Sequence, residues 1–202
     1  VPRTTDHDER RTHLVKALLR VAGPHGLHAV TMRNVAAEAG VSLRIVQYYF
    51  GTKEELLHAA LRHLGASVAE RVGSSLTAAG PEGSDRDTIE AWLLAMLPLD
   101  EANRDSWIVF AEYHALALTD PALAAIRYTD MSSTLEEALA GLVAAAQKAG
   151  TVARGRDPRT EAAILLATTT GLGDSIMAGM RETTQAVTIL RYHLDRLFDR
   201  PT

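Results

Sequence analysis

Apolar residues recur at intervals of three and four along most of the chain, the spacing that gathers side chains on one face of a helix. Leu14, Leu18 and Val21, with Val15, Leu19 and Ala22 beside them, predict an amphipathic helix from Asp8 to Gly23, stopped by Gly23-Pro24. Residues 1–7 are expected to be a disordered tail or a short arm, with Arg3 near any polyanion. Leu56, Leu57, Ala60, Leu61, Leu64, Val68 and Val72 predict one long helix from Thr52 to about Leu76, followed by a loop at Gly80-Pro81-Glu82-Gly83-Ser84. Further helices are predicted over Asp85 to Leu97, ended by Pro98, and over Asn103 to Leu118. Asp120-Pro121 reads as an N-cap with proline at the first helical position, opening a helix to Ala149 that Gly150 ends. Asp157-Pro158 repeats that signal for a helix to about Ala178, and the last helix runs from Thr183 to Asp199. Gly171, Gly173 and Gly179 are poor helix formers, expected to serve close approach of another helix.

The stretch from Thr31 to Lys53 breaks this rhythm. Thr31 is placed to cap a short helix whose narrow apolar face is Val35, Ala36 and Ala39. Gly40 follows directly, the residue that reverses a chain through a left-handed conformation without a Cβ clash. Ser42 is a suitable N-cap for a second short helix, Leu43 to Tyr49. Ile45, Val46 and Tyr49 fall on its inner side, and Leu43, Arg44 and Gln47 on its outer side, with Tyr48 at the margin. The outer set suits base edges: Arg matches guanine O6/N7, Gln matches adenine N6/N7, and Leu touches a thymine methyl. Tyrosine hydroxyls, here Tyr48 and Tyr49, suit phosphate oxygens. Thr52 and Glu55 are spaced as a capping box, which puts Lys53 at a helix N-terminus, a ready phosphate contact. Arg33 is either a phosphate contact or a solvated side chain. Such turns also occur in folds that bind no DNA.

Val41-Ser42-Leu43-Arg44-Ile45-Val46-Gln47-Tyr48-Tyr49-Phe50-Gly51-Thr52-Lys53-Glu54-Glu55-Leu56 resembles the DNA-binding segment of TetR-family repressors, VS-x-G-x-(L/V)-Y-x-(H/Y)-F-x-(S/N/T)-K-E-E-L. The resemblance covers roughly the first quarter of the chain. Arg44 replaces a common small residue and Gln47 stands where an aromatic is frequent. Both lie on the groove face, so they bear on the operator sequence and not on the fold. The resemblance implies an all-α protein of about nine helices. An N-terminal three-helix helix-turn-helix DNA-binding domain (residues 1–52) would be joined to a larger helical effector-binding and dimerisation domain (residues 53–202). It also implies a homodimer through the helices at about 158–179 and 183–199, double-stranded DNA with a palindromic operator as partner, and a small-molecule effector. Arg191, Arg196 and Asp195 would then pair across the rim of that interface.

Charge sharpens the picture. The net −4 divides unevenly: residues 1–53 hold eight Lys/Arg against four Asp/Glu, a net +4, and the rest hold thirteen against twenty-one, a net −8. A basic head on an acidic body fits DNA contact at one end, although chance gives the same split in some chains. The absence of cysteine excludes disulfides, thiolate metal sites and cysteine nucleophiles, and fits a cytoplasmic protein. No run approaches the ~20 apolar residues of a membrane span. The first residue is not Met, so the N-terminus is expected to be processed, trimmed or partly non-native.

Aromatic and sulfur side chains gather between 92 and 131. Trp92, Met96, Trp107, Phe110, Tyr113, Tyr128 and Met131, with Glu112 and His114 as polar anchors, are candidates for lining an effector cavity, as is Thr169 further along. The plainer reading of each is ordinary core. No catalytic constellation is present: there is no Gly-rich phosphate loop and no HExxH, and His58 and His63 are spaced off one helix face. His25 and His28 share a loop without an evident third metal ligand. No enzyme activity, cofactor or metal is expected. The rival to a repressor is a helical protein-interaction scaffold, or an activator built on the same fold.

Overall fold

The computed structural model of the chain describes residues 3–79, 83–119 and 128–199, and within these all side chains but those of 3–6, 75–76, 78–79, 102 and 128–132. Nine α-helices and one 3-10 turn are described, and no strand among the described residues. The helices are α1 (Arg3–His25), α2 (Met32–Glu38), α3 (Leu43–Phe50), α4 (Lys53–Ala79), α5 (Asp85–Leu94), α6 (Glu101–Ala117), α7 (Tyr128–Ala149), α8 (Pro158–Met177) and α9 (Thr183–Phe198).

The caps explain most of the boundaries. The Thr31 hydroxyl accepts the Asn34 N–H at 3.0 Å, and the Asp157 carboxylate accepts the Thr160 N–H at 2.8 Å with Pro158 in the first turn. Ser84, before α5, forms a capping box with Asp87. The capping box expected at Thr52 is half formed: its hydroxyl accepts the Glu55 N–H at 3.2 Å, but its own N–H goes to the Phe50 carbonyl.

Two sequence expectations change. The α1 helix starts at Arg3, so residues 3–7 are helical and not a loose arm, and it passes through Pro24 to His25. A proline in the last turn removes one bond only, and the chain still closes with the Gly26 N–H on the Ala22 carbonyl. The glycines of α8 also differ in role. A Cβ at Gly171 would meet nothing within 4 Å in this chain, and Gly179, at φ 67°, ends the helix. Within the chain, Arg191, Asp195 and Arg196 meet Glu90, Arg86 and the Tyr192 hydroxyl. The start signal at Asp120-Pro121 lies outside the described residues, as do most of the expected loop at 80–84 and the side chains of Tyr128 and Met131.

By packing the chain forms two units. The first comprises residues 1–67 and 104–127, with Leu14, Leu18, Leu27, Val35, Val46, Leu56 and Tyr113 fully buried. The second comprises residues 68–103 and 128–202. Its core joins Val72 of α4, Ile89, Trp92 and Leu93 of α5, Leu139 and Val143 of α7, Leu165, Leu172 and Ile176 of α8, and Leu190, Leu194 and Leu197 of α9. The apolar stripes of α8 and α9 are therefore spent on their own chain. Charged pairs bind the same elements. Glu90, nearly buried, accepts from Arg86 at 2.6 Å and from Arg191 at 2.7 Å, and Arg86 also reaches Asp195 at 2.6 Å. Arg156 meets Glu161, the other nearly buried acid described there, at 2.8 Å. The division by packing differs from the one drawn at 52/53 because α4 continues across it and α6 lends its later turns to the first unit.

Candidate nucleic-acid interface

The turn between α2 and α3 is built as its sequence requires. Gly40 sits at φ 66° and donates to the Ala37 carbonyl, while the Val41 N–H reaches back to Ala36, the paired closure that ends a helix on a left-handed residue. Val35 and Ala36 are buried beneath it. The Asn34 side chain donates to the Ala29 carbonyl at 2.8 Å, fastening the first turn of α2 to the 3-10 turn Leu27–Ala29 before it.

The inner face of α3 is narrower than its sequence suggested. Val46 and Phe50, one turn apart, are buried, whereas Ile45, expected inside, is 40% exposed and Tyr49 is half-buried. Phe50 extends the helix by a residue and takes the inward place. Arg44, Gln47 and Tyr48 stand exposed on the opposite side, Tyr48 at 77%, with Leu43 half-buried at the edge. Ser42 has the extended backbone of an N-cap but makes no side-chain cap bond. Its exposed hydroxyl therefore faces solvent at the start of the helix. Thr31 and Arg33 are also exposed, and Lys53 is half-buried as the first residue of α4. The structure thus brings Ser42, Leu43, Arg44, Gln47 and Tyr48 together on one short helix, with Thr31, Arg33 and Lys53 at the starts of its neighbours.

Sequence reasoning missed the residues of α1 that hold this element. Arg11 donates to the Tyr49 carbonyl at 2.6 Å and lies 4.4 Å from the Phe50 ring centre. The His13 ring contacts the Ala39 carbonyl at 3.0 Å, and Arg20 pairs with Glu38 at 2.6 Å. Polar residues flanking the apolar stripe of a platform helix were the available signal.

The candidate effector residues are divided between the units. Trp92, Met96 and Thr169 belong to the second: Trp92 is buried in its core, Met96 packs against it, and the buried Thr169 hydroxyl donates to the Leu165 carbonyl at 2.8 Å. Trp107, Phe110, Glu112, Tyr113 and His114 lie on α6 in the first; Trp107 and Phe110 are half-buried, Tyr113 is buried and His114 exposed. Glu112 has a partner within the first unit. Its carboxylate accepts the Leu27 N–H, at the start of the 3-10 turn, and closes over Gly26. Gly26 has φ 76°, and a Cβ there would lie 2.9 Å from Oε2 and closer still to Oε1. His63 on α4 has its pKa lowered by burial and by the nearby Lys16 charge. His25 and His28 are exposed, and no cluster of three or more His, Cys, Asp or Glu suited to a metal occurs among the described residues. No helix among the described residues is long and apolar enough to cross a membrane.

A glycine-turned helix pair with a bare polar face, carried by a larger all-helical body, defines a helix-turn-helix transcription regulator. Residues 14–60 match the profile of the bacterial regulatory proteins of the tetR family, and residues 85–199 that of the BetI-type transcriptional repressor C-terminal region. Similar curated proteins include the transcriptional regulator PksA of Bacillus subtilis (strain 168), 30% identical over 116 residues, 56% of this chain and 55% of that one. Another is the regulator BetI of Rhizobium meliloti (strain 1021), 33% identical over 113 residues, 54% of each. The chain thus matches about half the length of these relatives. Among solved structures, a transcriptional regulator from Rhodococcus sp. Rha1 is 30% identical with a TM-score of 0.78, covering 93% of this chain and 95% of that one. A TetR-family regulator from Rhodococcus sp. has the same fold, at 24% identity and a TM-score of 0.85, covering 95% and 100%. The chain belongs to the TetR family of transcriptional regulators, with a BetI-type C-terminal region. The families it matches are regulators and not enzymes, in agreement with the reading of the sequence.

Proposed function

We propose that the protein is a ligand-responsive repressor that binds a palindromic operator as a homodimer in the cytoplasm and leaves it when a small molecule binds. The observation that carries the reading is the exposed face of α3, where Arg44, Gln47 and Tyr48 stand exposed on a helix held from α1 by Arg11. In this reading residues 1–52 are the DNA-binding domain. Arg44 and Gln47 read base edges in the major groove, and Leu43 meets a thymine methyl. Ser42, Tyr48, Tyr49, Thr31, Arg33 and Lys53 serve the phosphates. Residues 53–202 bind the effector and the second copy. Since the stripes of α8 and α9 fill their own core, the copy would meet their outward faces, where Ile164 and Tyr192 are exposed, with Met180 exposed in the turn between the two helices. Two-fold pairing presents two heads to successive turns of one duplex, which is why the operator would be a rough palindrome.

The release mechanism is a population shift: an effector that favours one spacing of the heads weakens DNA binding by its differential affinity for that state. The α4 helix, 27 residues long, starts beside the groove face in the first unit and continues into the second from Val68. The α6 helix offers another route, because it carries Trp107 and Phe110 as candidate effector contacts and Glu112 on the connection into the head. A gel shift on the DNA upstream of the gene, at two salt concentrations, tests the reading. A shifted band whose affinity falls with salt is expected; no shift at either concentration refutes it in favour of a scaffold. An effector that saturates the protein without changing operator affinity refutes the release mechanism.

A further inference from the structure

We infer that Arg11 of α1 is a positioning residue for sequence readout: it sets the rotation and axial position of α3, and so the aim of Arg44 and Gln47, without touching DNA itself. The inference rests on the reading that the outer face of α3 meets base edges.

The α3 helix has eight residues, too few to be stable alone, and buries only Val46 and Phe50. Two side chains one turn apart hold a short rod down but do little to stop it turning. Rotation matters at its surface. Side-chain tips stand about 5–6 Å from a helix axis, so a turn of ~20° moves them by about 2 Å. Base-edge hydrogen bonds tolerate a few tenths of an ångström.

Arg11 supplies the missing constraint through one planar group. Its Nη1 donates to the Tyr49 carbonyl at 2.6 Å, and its guanidinium carbon lies 4.4 Å from the Phe50 ring centre. The first contact pins the C-terminal end of α3, where outward carbonyls carry partial negative charge and favour a cation. The second holds the guanidinium against the ring that anchors the helix inward. The same end is braced at Tyr49, whose ring lies 4.8 Å from His7 of α1 and 5.2 Å from Tyr48, edge to face. The line of contact thus runs from α1 through the end of α3 to the tyrosine at the margin of the groove face. With its charge engaged by the protein, Arg11 differs in kind from Arg44, whose side chain is exposed.

The test compares wild type with Arg11→Ala, Arg11→Lys and Arg11→Met. The specific duplex is the one wild type enriches from a random-sequence pool, and mixed-sequence DNA is the competitor. Folding of each variant is checked by far-UV circular dichroism. For Arg11→Ala the ratio of specific to mixed-sequence affinity should fall by about tenfold or more, the scale of one lost bidentate base contact. Mixed-sequence affinity and the slope of log affinity against log salt should stay as in wild type. Arg11→Lys keeps the charge but not the planar group and should recover only a minor part of the ratio; Arg11→Met should recover none. An equal loss on both DNAs with a salt slope shallower by about 1 would make Arg11 a phosphate contact and overturn the inference. So would an unchanged ratio, or full recovery with lysine. Amide exchange over α3 without DNA separates the two claims. If wild type binds no duplex yet Arg11→Ala speeds exchange there, the functional reading fails while the structural role of Arg11 stands; if exchange is unchanged as well, both fail.

Discussion

Replacing Gly26 by alanine should disturb the junction of α1 and α2 through two separable effects. The first is backbone strain. Gly26 has φ 76° and ψ 170°, a region almost reserved for glycine, and a side chain held there costs about 1–3 kcal/mol. The second is steric: the new Cβ would stand 2.9 Å from one oxygen of Glu112 and nearer the other, and must push the carboxylate off the Leu27 N–H. A hydrogen bond to a charged group contributes about 1.5–3 kcal/mol, and partial exposure of Glu112 reduces that to the low end. Together the substitution should destabilise the first unit by about 2–5 kcal/mol. A double-mutant cycle with Glu112→Ala separates the two. On the truncated background Gly26→Ala should cost only the strain, so the cycle should return a coupling of about 1–2 kcal/mol. Urea unfolding gives the energies, and exchange of the Leu27 amide reports locally and does not depend on the whole chain unfolding in one step. An additive cycle would refute the steric argument, and a neutral Gly26→Ala would refute the backbone geometry on which both effects stand.

Three further outcomes follow from the same geometry. Arg44→Ala or Gln47→Ala should relax base preference at one operator position each, by about 1–3 kcal/mol per lost bidentate pair, whereas Lys53→Ala should weaken binding to all sequences alike; selection of binding sites from random DNA checks both. Glu90→Gln should destabilise the second unit by about 1–3 kcal/mol in urea unfolding, because the charge shared by Arg86 and Arg191 is lost and one of the two acceptor oxygens becomes an NH2 donor facing a guanidinium. His63 has a lowered pKa in the folded chain, so the unfolded chain takes up its proton first. Stability from this group is complete above about 6.5, the unfolded value, and is lost as the pH falls from there towards the folded value. Melting temperatures between pH 8 and pH 5 should show the decline, in part abolished in His63→Gln.

How legible all this is in the sequence depends on the range of the interaction. Most signals complete within a few residues appear in the structure where the sequence puts them, although Ser42 makes no cap bond and Thr52 forms only half of its box. Thr31 and Asp157 cap, Gly40 and Gly150 close their helices at positive φ, and α4 follows its three-and-four spacing. The outer face of α3 is legible too, because 3.6 residues per turn separate Arg44 and Gln47 from Val46 whatever surrounds them. Ile45 and Phe50 are not legible in the same way, since how wide a face is buried depends on what packs against it. Pro24 ends a helix by local rules, yet the chain keeps its last turn. The contacts of Glu112 with Leu27 and of Arg86 with Asp195 join residues 85 and 109 positions apart, and no local pattern announces them. The cavity reading of Glu112 and the rim reading of Arg191, Asp195 and Arg196 rest on polar residues standing near apolar ones, a pattern that does not reveal these long-range partners.

The grips of Arg11, His13 and Arg20 on α3 and α2 have a practical corollary for anyone re-addressing this regulator to another promoter. Transplanting only the two short helices from a relative would strand those three side chains over foreign acceptors. A successful chimaera will have to carry the first helix along with the other two, as one cassette.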